Sequence, residues 1–290
     1  MATKTSAGAN EPIEVLFALH DGFNLTDFAG PLEVLASALH DKNDENTKAF
    51  ECTIAGPEPK VISEQRVVIG SQIDYKEAHE RLGDFDVLVV VGGNSDGVLK
   101  GKSEPLSIIS AFTELQKSNS SRERTLMSIN TGSLFLAEQG ILSGLSATTH
   151  PDYMTKFEIL CSTAAQRDLQ ERTDVVEDAR YVVNNLRFDL GDEDENPYIR
   201  RKADTDARPA NARKGSISFK GSNARRESIA RRAAMRLGGL RVITSGGICA
   251  GLDAALYLVS ILVDDNAANE VARLMQHEWI KGVVVDGLDV

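Results

Sequence analysis

Short apolar runs alternate with longer stretches of helical periodicity along most of this 290-residue chain. Ile13–Leu19 is a β-type run that ends in the polar turn His20-Asp21-Gly22. Gly30-Pro31 then opens Leu32–Leu39, whose apolar residues recur at helical spacing with proline just inside the start. Phe50–Ala55 is a second strand, stopped by Gly56-Pro57, and the loose alternation of Val61–Ile73 predicts a hairpin or edge pair. Asp86–Val91 is apolar and β-branched, as a strand buried on both faces should be, and it ends at Gly92-Gly93. Leu106–Lys117 reads as an amphipathic helix and Thr125–Ile129 as a strand. Thr131–Gln139 is a helix entered without a linker and closed by Gly140. Helix is expected for Pro151–Cys161, and β structure for Thr173–Asn184 with a turn at Glu177-Asp178. Leu240–Thr244 is a strand, followed by Ser245-Gly246-Gly247, a long apolar helix over Ala250–Leu262 and a last helix over Asp265–Met275. This alternation predicts a doubly wound, mostly parallel α/β sheet with helices on both faces, in one domain over 13–290 after a loose tail, 1–12.

One segment breaks the pattern. From Asp189 to Gly221 the chain is rich in Asp, Arg, Asn, Gly and Ser, and Ser222–Leu237 is a basic helix, so 189–237 reads as a flexible basic insertion. Of the 32 Lys/Arg and 43 Asp/Glu, twelve and three respectively fall between Arg200 and Arg236. The rest of the chain is therefore strongly acidic. Ser216 and Ser228 follow basic residues as basophilic kinases prefer. A solvated loop and surface helix is the plain reading of this block, and a regulatory site or anionic partner the sharper one.

Net charge of −11 argues against general affinity for nucleic acid, which needs a positive surface. No apolar run approaches the roughly 18 residues of a membrane span, and the first dozen residues lack the apolar stretch of a secretory signal. Cys52, Cys161 and Cys249 are odd in number and far apart, which fits a reducing, cytoplasmic compartment rather than a disulfide framework. Neither they nor the five scattered histidines have metal-ligand spacing.

In parallel α/β sheets, ligands bind at the carboxyl ends of strands. Four motifs fall there: Leu25-Thr26-Asp27-Phe28-Ala29-Gly30-Pro31, Val91-Gly92-Gly93-Asn94, Ser128-Ile129-Asn130-Thr131-Gly132-Ser133, and Thr244-Ser245-Gly246-Gly247-Ile248-Cys249-Ala250-Gly251-Leu252-Asp253. The third has the form of a nucleophile elbow, a strained strand-to-helix turn that aims one side chain into the cleft. Backbone N–H groups of Gly93 and Thr131 are candidate oxyanion donors.

On these motifs, with Ala147-Thr148-Thr149-His150 and Ser245–Leu256, the chain resembles the ThiJ/PfpI superfamily over about residues 13 to 265, apart from the basic insertion. That superfamily is similar to class I glutamine amidotransferases, and within it the resemblance is strongest to isocyanide (isonitrile) hydratases. It implies a flavodoxin-like, glutamine amidotransferase-like fold, a homodimer and no cofactor. It also implies a lyase, in secondary metabolism, that adds water to an isocyanide to give an N-formamide. In those hydratases the elbow reads Ser-Val-Cys-Thr-Gly and its cysteine attacks the isocyanide carbon. The aspartate that handles proton transfers matches Asp27, the residue after the nucleophile matches Thr131, and the aspartate of the Ala-Gly-x-Asp motif matches Asp253. Gly30, Gly93, Asn94 and Asp253 then fall among the substrate-binding positions.

The departure is at the centre, where Asn130 stands in place of the cysteine. A carboxamide is not a nucleophile near neutral pH. Three explanations compete. The chain is a catalytically silent member that binds a ligand or partner; or Asp27 runs hydration, elimination or isomerisation of a small metabolite directly, with Asn130 orienting it; or Cys249, also at a helix start, supplies a relocated thiol. Asp27 as a plain helix-start acid, Asn130 as filler of a strained turn, Cys249 as a packed residue and His150 as a structural histidine are the bland counterparts. Trp279 and Phe157 read as core or interface residues.

Overall fold

The computed structural model describes residues 11–186, 229 and 232–286. Eight strands form the main sheet: β1 (Ile13–Ala18), β2 (Phe50–Gly56), β5 (Ile73–Asp74), β6 (Val87–Val90), β7 (Thr125–Ile129), β10 (Tyr181–Asn185), β11 (Arg241–Ser245) and β12 (Val283–Asp286). Their order is β12-β10-β11-β7-β6-β1-β2-β5. Neighbours are parallel except at one place: β10 runs antiparallel to β11, and β12 then follows β10 in parallel. Two small ladders stand outside, β3 (Lys60–Ile62) with β4 (Val68–Gly70) and β8 (Ser146–Ala147) with β9 (Asp174–Val175). The helices are α1 (Leu25–Ser37), α2 (Tyr75–Glu80), α3 (Ser95–Gly101), α4 (Leu106–Ser118), α5 (Ser133–Glu138), α6 (Met154–Arg167), α7 (residues 232–237), α8 (Cys249–Leu262) and α9 (Asp265–Leu274).

The central strands are buried on both faces, which is why they lack alternation. Leu16, Leu88, Val90, Leu126 and Val242 face one core with Phe112, Phe135 and Leu237 from α4, α5 and α7. Val15, Phe17, Val89, Met127 and Ile243 face the other with Val34, Leu256 and Val271 from α1, α8 and α9. Each such side chain contributes about 1.5–3 kcal/mol by leaving water, so the two cores together hold the sheet between its helical layers. Phe157 belongs to the first core and Trp279 packs half-buried against the second.

Several expectations need correction. The first helix begins at Leu25, not after Gly30-Pro31, because Asn24 caps it by accepting the Thr26 N–H at 3.1 Å. Pro31 therefore lies inside the helix, where it has no N–H to give the Asp27 carbonyl. Thr173–Asn184 is β structure with its turn at Glu177-Asp178, as expected, and its two halves part: β9 pairs with β8, and β10 joins the main sheet. The expected helix at Pro151–Cys161 starts as a tight turn and runs on to Arg167. Between 189 and 237, the structure describes Ile229 and 232–237; Ser216 and Ser228 lie outside the described residues. Among the described residues, no helix is long and apolar enough to cross a membrane.

Candidate functional site

β7 delivers the chain to the elbow, and there the backbone turns left-handed: Asn130 has φ 58°. Asparagine tolerates that region better than most residues, because its short polar side chain can bond locally. The turn is held from below by two hydroxyls, Ser133 Oγ at 3.0 Å and Thr149 Oγ1 at 3.2 Å, both donating to the Asn130 carbonyl. Its close approach to β6 requires glycine on both sides. A Cβ on Gly132 would sit 2.7 Å from the Val90 carbonyl, and one on Gly92 would sit 2.8 Å from the Thr131 nitrogen.

Asp27 comes from the first turn of α1 and is fully buried. Neither carboxyl oxygen has a hydrogen-bond partner, and the Asn130 Oδ1 has none either. Burial pushes the Asp27 carboxyl up to about 7; the Asn130 amide and the Ile248 N–H oppose this, and the negative charge of Glu64 adds to it. Those two donors are close enough to favour the carboxylate but close no well-formed hydrogen bond with it. Ile248 is the second strained point of the site. It is β-branched yet has φ 42° and ψ −87°, immediately before α8. Two contorted backbone turns, one from β7 and one from β11, thus converge on a single carboxyl group.

The other expected residues fall in distinct places. Thr131 bridges the loops: its Oγ1 accepts the Gly93 N–H at 3.0 Å. Gly93 is therefore engaged and not free as an oxyanion donor, and the Thr131 side chain joins the two loops rather than capping the helix. Gly93 has φ 134° where the chain crosses the Gly22 carbonyl, which a Cβ would meet at 2.2 Å. Asn94 caps α3, its Oδ1 accepting the Gly97 N–H at 3.2 Å. Gly30 lets Leu252 of α8 pack onto α1. Asp253 is fully buried, and both its carboxyl oxygens are committed to protein groups: Oδ2 accepts from the Arg180 guanidinium at 2.6 Å, and Oδ1 from His277 Nε2 at 2.8 Å and the Ile280 N–H at 3.0 Å. His150 lies against Gly247, its Nδ1 accepting the Asp152 N–H. Cys249 is exposed at the first position of α8. The structure thus brings Asp27, Asn130 and Thr131 to one place and gives Asp253 and Gly30 to the packing of α8.

Two features at the carboxyl end of the sheet carry little signal in the sequence. Ile248 acts through its main chain, which leaves no mark in residue identity beyond the glycine pair before it. His20 follows β1 at the ligand-binding end of the sheet, and that position was its signal. Its ring stands edge-on to Phe135, both nitrogens lack partners, and burial lowers it to about 4, so it is a neutral imidazole at ordinary pH. Among the described residues there is no group of three His, Cys, Asp or Glu placed to hold a metal. What the site offers is a carboxyl that takes up and releases a proton near neutrality, beside an amide that can orient an uncharged ligand.

A mostly parallel sheet between helical layers, with a strained strand–helix elbow facing a buried carboxyl, defines a flavodoxin-like α/β protein. The sequence profile of the DJ-1/PfpI family matches residues 13–185, and the chain belongs to that family. Among solved structures it is similar to DJ-1beta of Drosophila melanogaster, at 19% identity and a TM-score of 0.55, covering 93% of this chain and all of that one. It is similar also to a ThiJ/PfpI family protein from Pseudomonas syringae (16% identity, TM-score 0.52, 93% and 76% covered). A third is an AraC family transcriptional regulator from Pseudomonas putida (17% identity, TM-score 0.51, 91% and 100% covered). At these identities the likeness is one of fold. No curated protein matches the chain.

Proposed function

We propose that the chain is an isocyanide hydratase-like enzyme that works without a cysteine, its proton transfers run by Asp27 beside Asn130 and Thr131. The supporting observation is the fully buried Asp27 carboxyl, unpartnered on both oxygens and held near neutrality. Protonated, it gives its proton to the isocyanide carbon. Water then adds to that carbon and returns a proton to the carboxylate, and the imidic acid tautomerises to the N-formamide. Atoms balance as one isocyanide plus one water. Asn130 orients the substrate, and elimination or isomerisation of a small metabolite could be run by the same carboxyl. The family includes enzymes and its members are commonly dimers, which supports a homodimeric enzyme; a small-molecule substrate and a cytoplasmic location are parts of the same proposal.

A second reading is favoured by one observation: Asn130 supplies no thiolate, so a silent, ligand-binding member would look the same at the elbow. Single-turnover conversion of a simple isocyanide separates the two, using the unaltered chain, Asp27→Asn and Asn130→Cys. The enzyme reading expects the unaltered chain to form N-formamide and Asp27→Asn to lose at least 100-fold, of the order general acid–base catalysis supplies. No turnover by the unaltered chain, with activity only in Asn130→Cys, establishes the binding reading instead.

A further inference from the structure

Ile248 occupies a conformation that costs free energy and persists only where its surroundings over-determine it. One residue contacts the turn on both sides of it. Arg180 stands just before β10, opposite Gly246 in the register set by Tyr181 and Ser245. Its carbonyl accepts the Gly246 N–H at 2.9 Å. Its guanidinium reaches over the turn and donates through Nε and Nη2, each 2.6 Å from Asp253 Oδ2 in α8. The turn is therefore gripped upstream at Gly246 and downstream at Asp253 by the same side chain and backbone. Between the grips, Gly247 lies under the His150 ring, and the Gly251 N–H donates to the Ile248 carbonyl at 3.1 Å. The other Asp253 oxygen is filled by His277 and Ile280, so the carboxylate is saturated and rigid. Burying an ion pair this way contributes little net stability, which leaves geometry as its effect.

We propose that Arg180 is a positioning residue: with Asp253 it fixes the Gly246–Ile248 turn so that the Ile248 N–H is presented to Asp27. The inference builds on the reading of Asp27 as the proton-transfer group. Releasing the turn withdraws one of the two donors that favour the carboxylate, so Asp27 holds its proton more tightly. Glu64, the other charge felt by Asp27, sits between β3 and β4 and is untouched by the change.

The test is an infrared titration of the Asp27 carboxyl, assigned by its loss in Asp27→Asn, in the unaltered chain, Arg180→Met and Arg180→Lys. Arg180→Met should raise proton affinity about tenfold, the order of one lost donor to a buried carboxylate. Lysine keeps the positive charge but not the forked donor geometry. Its variant should move the midpoint the same way by less, and that shift cannot come from lost charge. Midpoints unchanged in folded variants overturn the role, leaving Arg180 purely structural; if the methionine variant fails to fold, the lysine variant decides alone. The Ile248 amide resonance separates the two levels of failure. If it moves in Arg180→Lys while no carboxyl titrates near neutrality, the reading of Asp27 is wrong; if it stays in place, the clamp is wrong.

Discussion

Asp27 and His20 are both buried and unpaired, and they should pull the stability of this protein in opposite directions as pH changes. Asp27 is raised from 3.8 to about 7, so its contribution is fully present below pH 3.8 and is lost as pH rises through about 7. That interval corresponds to about 4 kcal/mol. His20 is lowered from 6.5 to about 4, so its contribution is present above pH 6.5 and is lost as pH falls toward 4. That is worth about 3 kcal/mol with the opposite slope. Between about pH 4 and 6.5 the two cancel, and neither is visible in the unaltered chain alone. Removing one exposes the other. In urea denaturation, the stability of Asp27→Asn relative to the unaltered chain should grow by roughly 3 kcal/mol from about pH 4.5 to about pH 8. For His20→Phe, the relative stability should instead grow by roughly 3 kcal/mol on going from about pH 7 down to about pH 4. The new amide in Asp27→Asn adds a penalty that does not vary with pH, so the slope is the readable quantity. A flat difference between Asp27→Asn and the unaltered chain would refute the reasoning, because it would mean that the carboxyl titrates as an ordinary solvated aspartate.

Four further outcomes follow from particular contacts. Asn130→Ala should lower stability by about 1–2 kcal/mol, the cost of an unaided left-handed residue, while Asn130→Gly should cost less; thermal melts compare them. Gly93→Ala places a methyl 2.2 Å from the Gly22 carbonyl at φ 134°, so it should abolish the loop and cut soluble yield far below that of Gly83→Ala, whose Cβ meets nothing. Arg236→Met strips donors from the carbonyls of Gly140, Ile141 and Ser143 at the end of α5, and should cost roughly 3 kcal/mol by urea denaturation. Of the three thiols, Cys249 is exposed, whereas burial raises Cys52 to about 12 and Cys161 to about 11. Native protein should therefore react with a disulfide reagent once quickly, and three times only after unfolding.

The parts of this structure legible in the sequence are those with a strong local signal. β6 and β7 are short apolar runs, and α8 is an apolar run too long for a strand, so burial alone dictated their assignment. α3 went unread because Ser95–Gly101 is polar and glycine-bearing, and only the Asn94 cap betrays it. The start of α1 was misplaced because Gly-Pro is a louder signal than a single asparagine cap. At the site, the neighbourhood of Asp27 and Asn130 was legible from motifs at strand ends. The commitment of Asp253 to Arg180 and His277 was not, since those partners lie 73 and 24 residues away and nothing local announces them. The Gly93 N–H was expected to be free because a motif says where a donor is, not what already accepts from it.

The reversed strand pair at one side of the sheet has a consequence for handling the protein. β12 is joined to the rest through β10 and through the segment 277–280, which bonds to Asp253. Among the described residues, Val283–Val285 lie at one edge of the sheet, whereas the opposite edge strand β5 is only two residues long. A carboxy-terminal fusion or a proteolytic nick that peels β12 away uncovers β10, a strand otherwise buried, and offers it as a template for another chain. Aggregation and loss of the Asp253 anchor then arrive together, so a preparation trimmed at this end should lose colloidal stability and site geometry in one step.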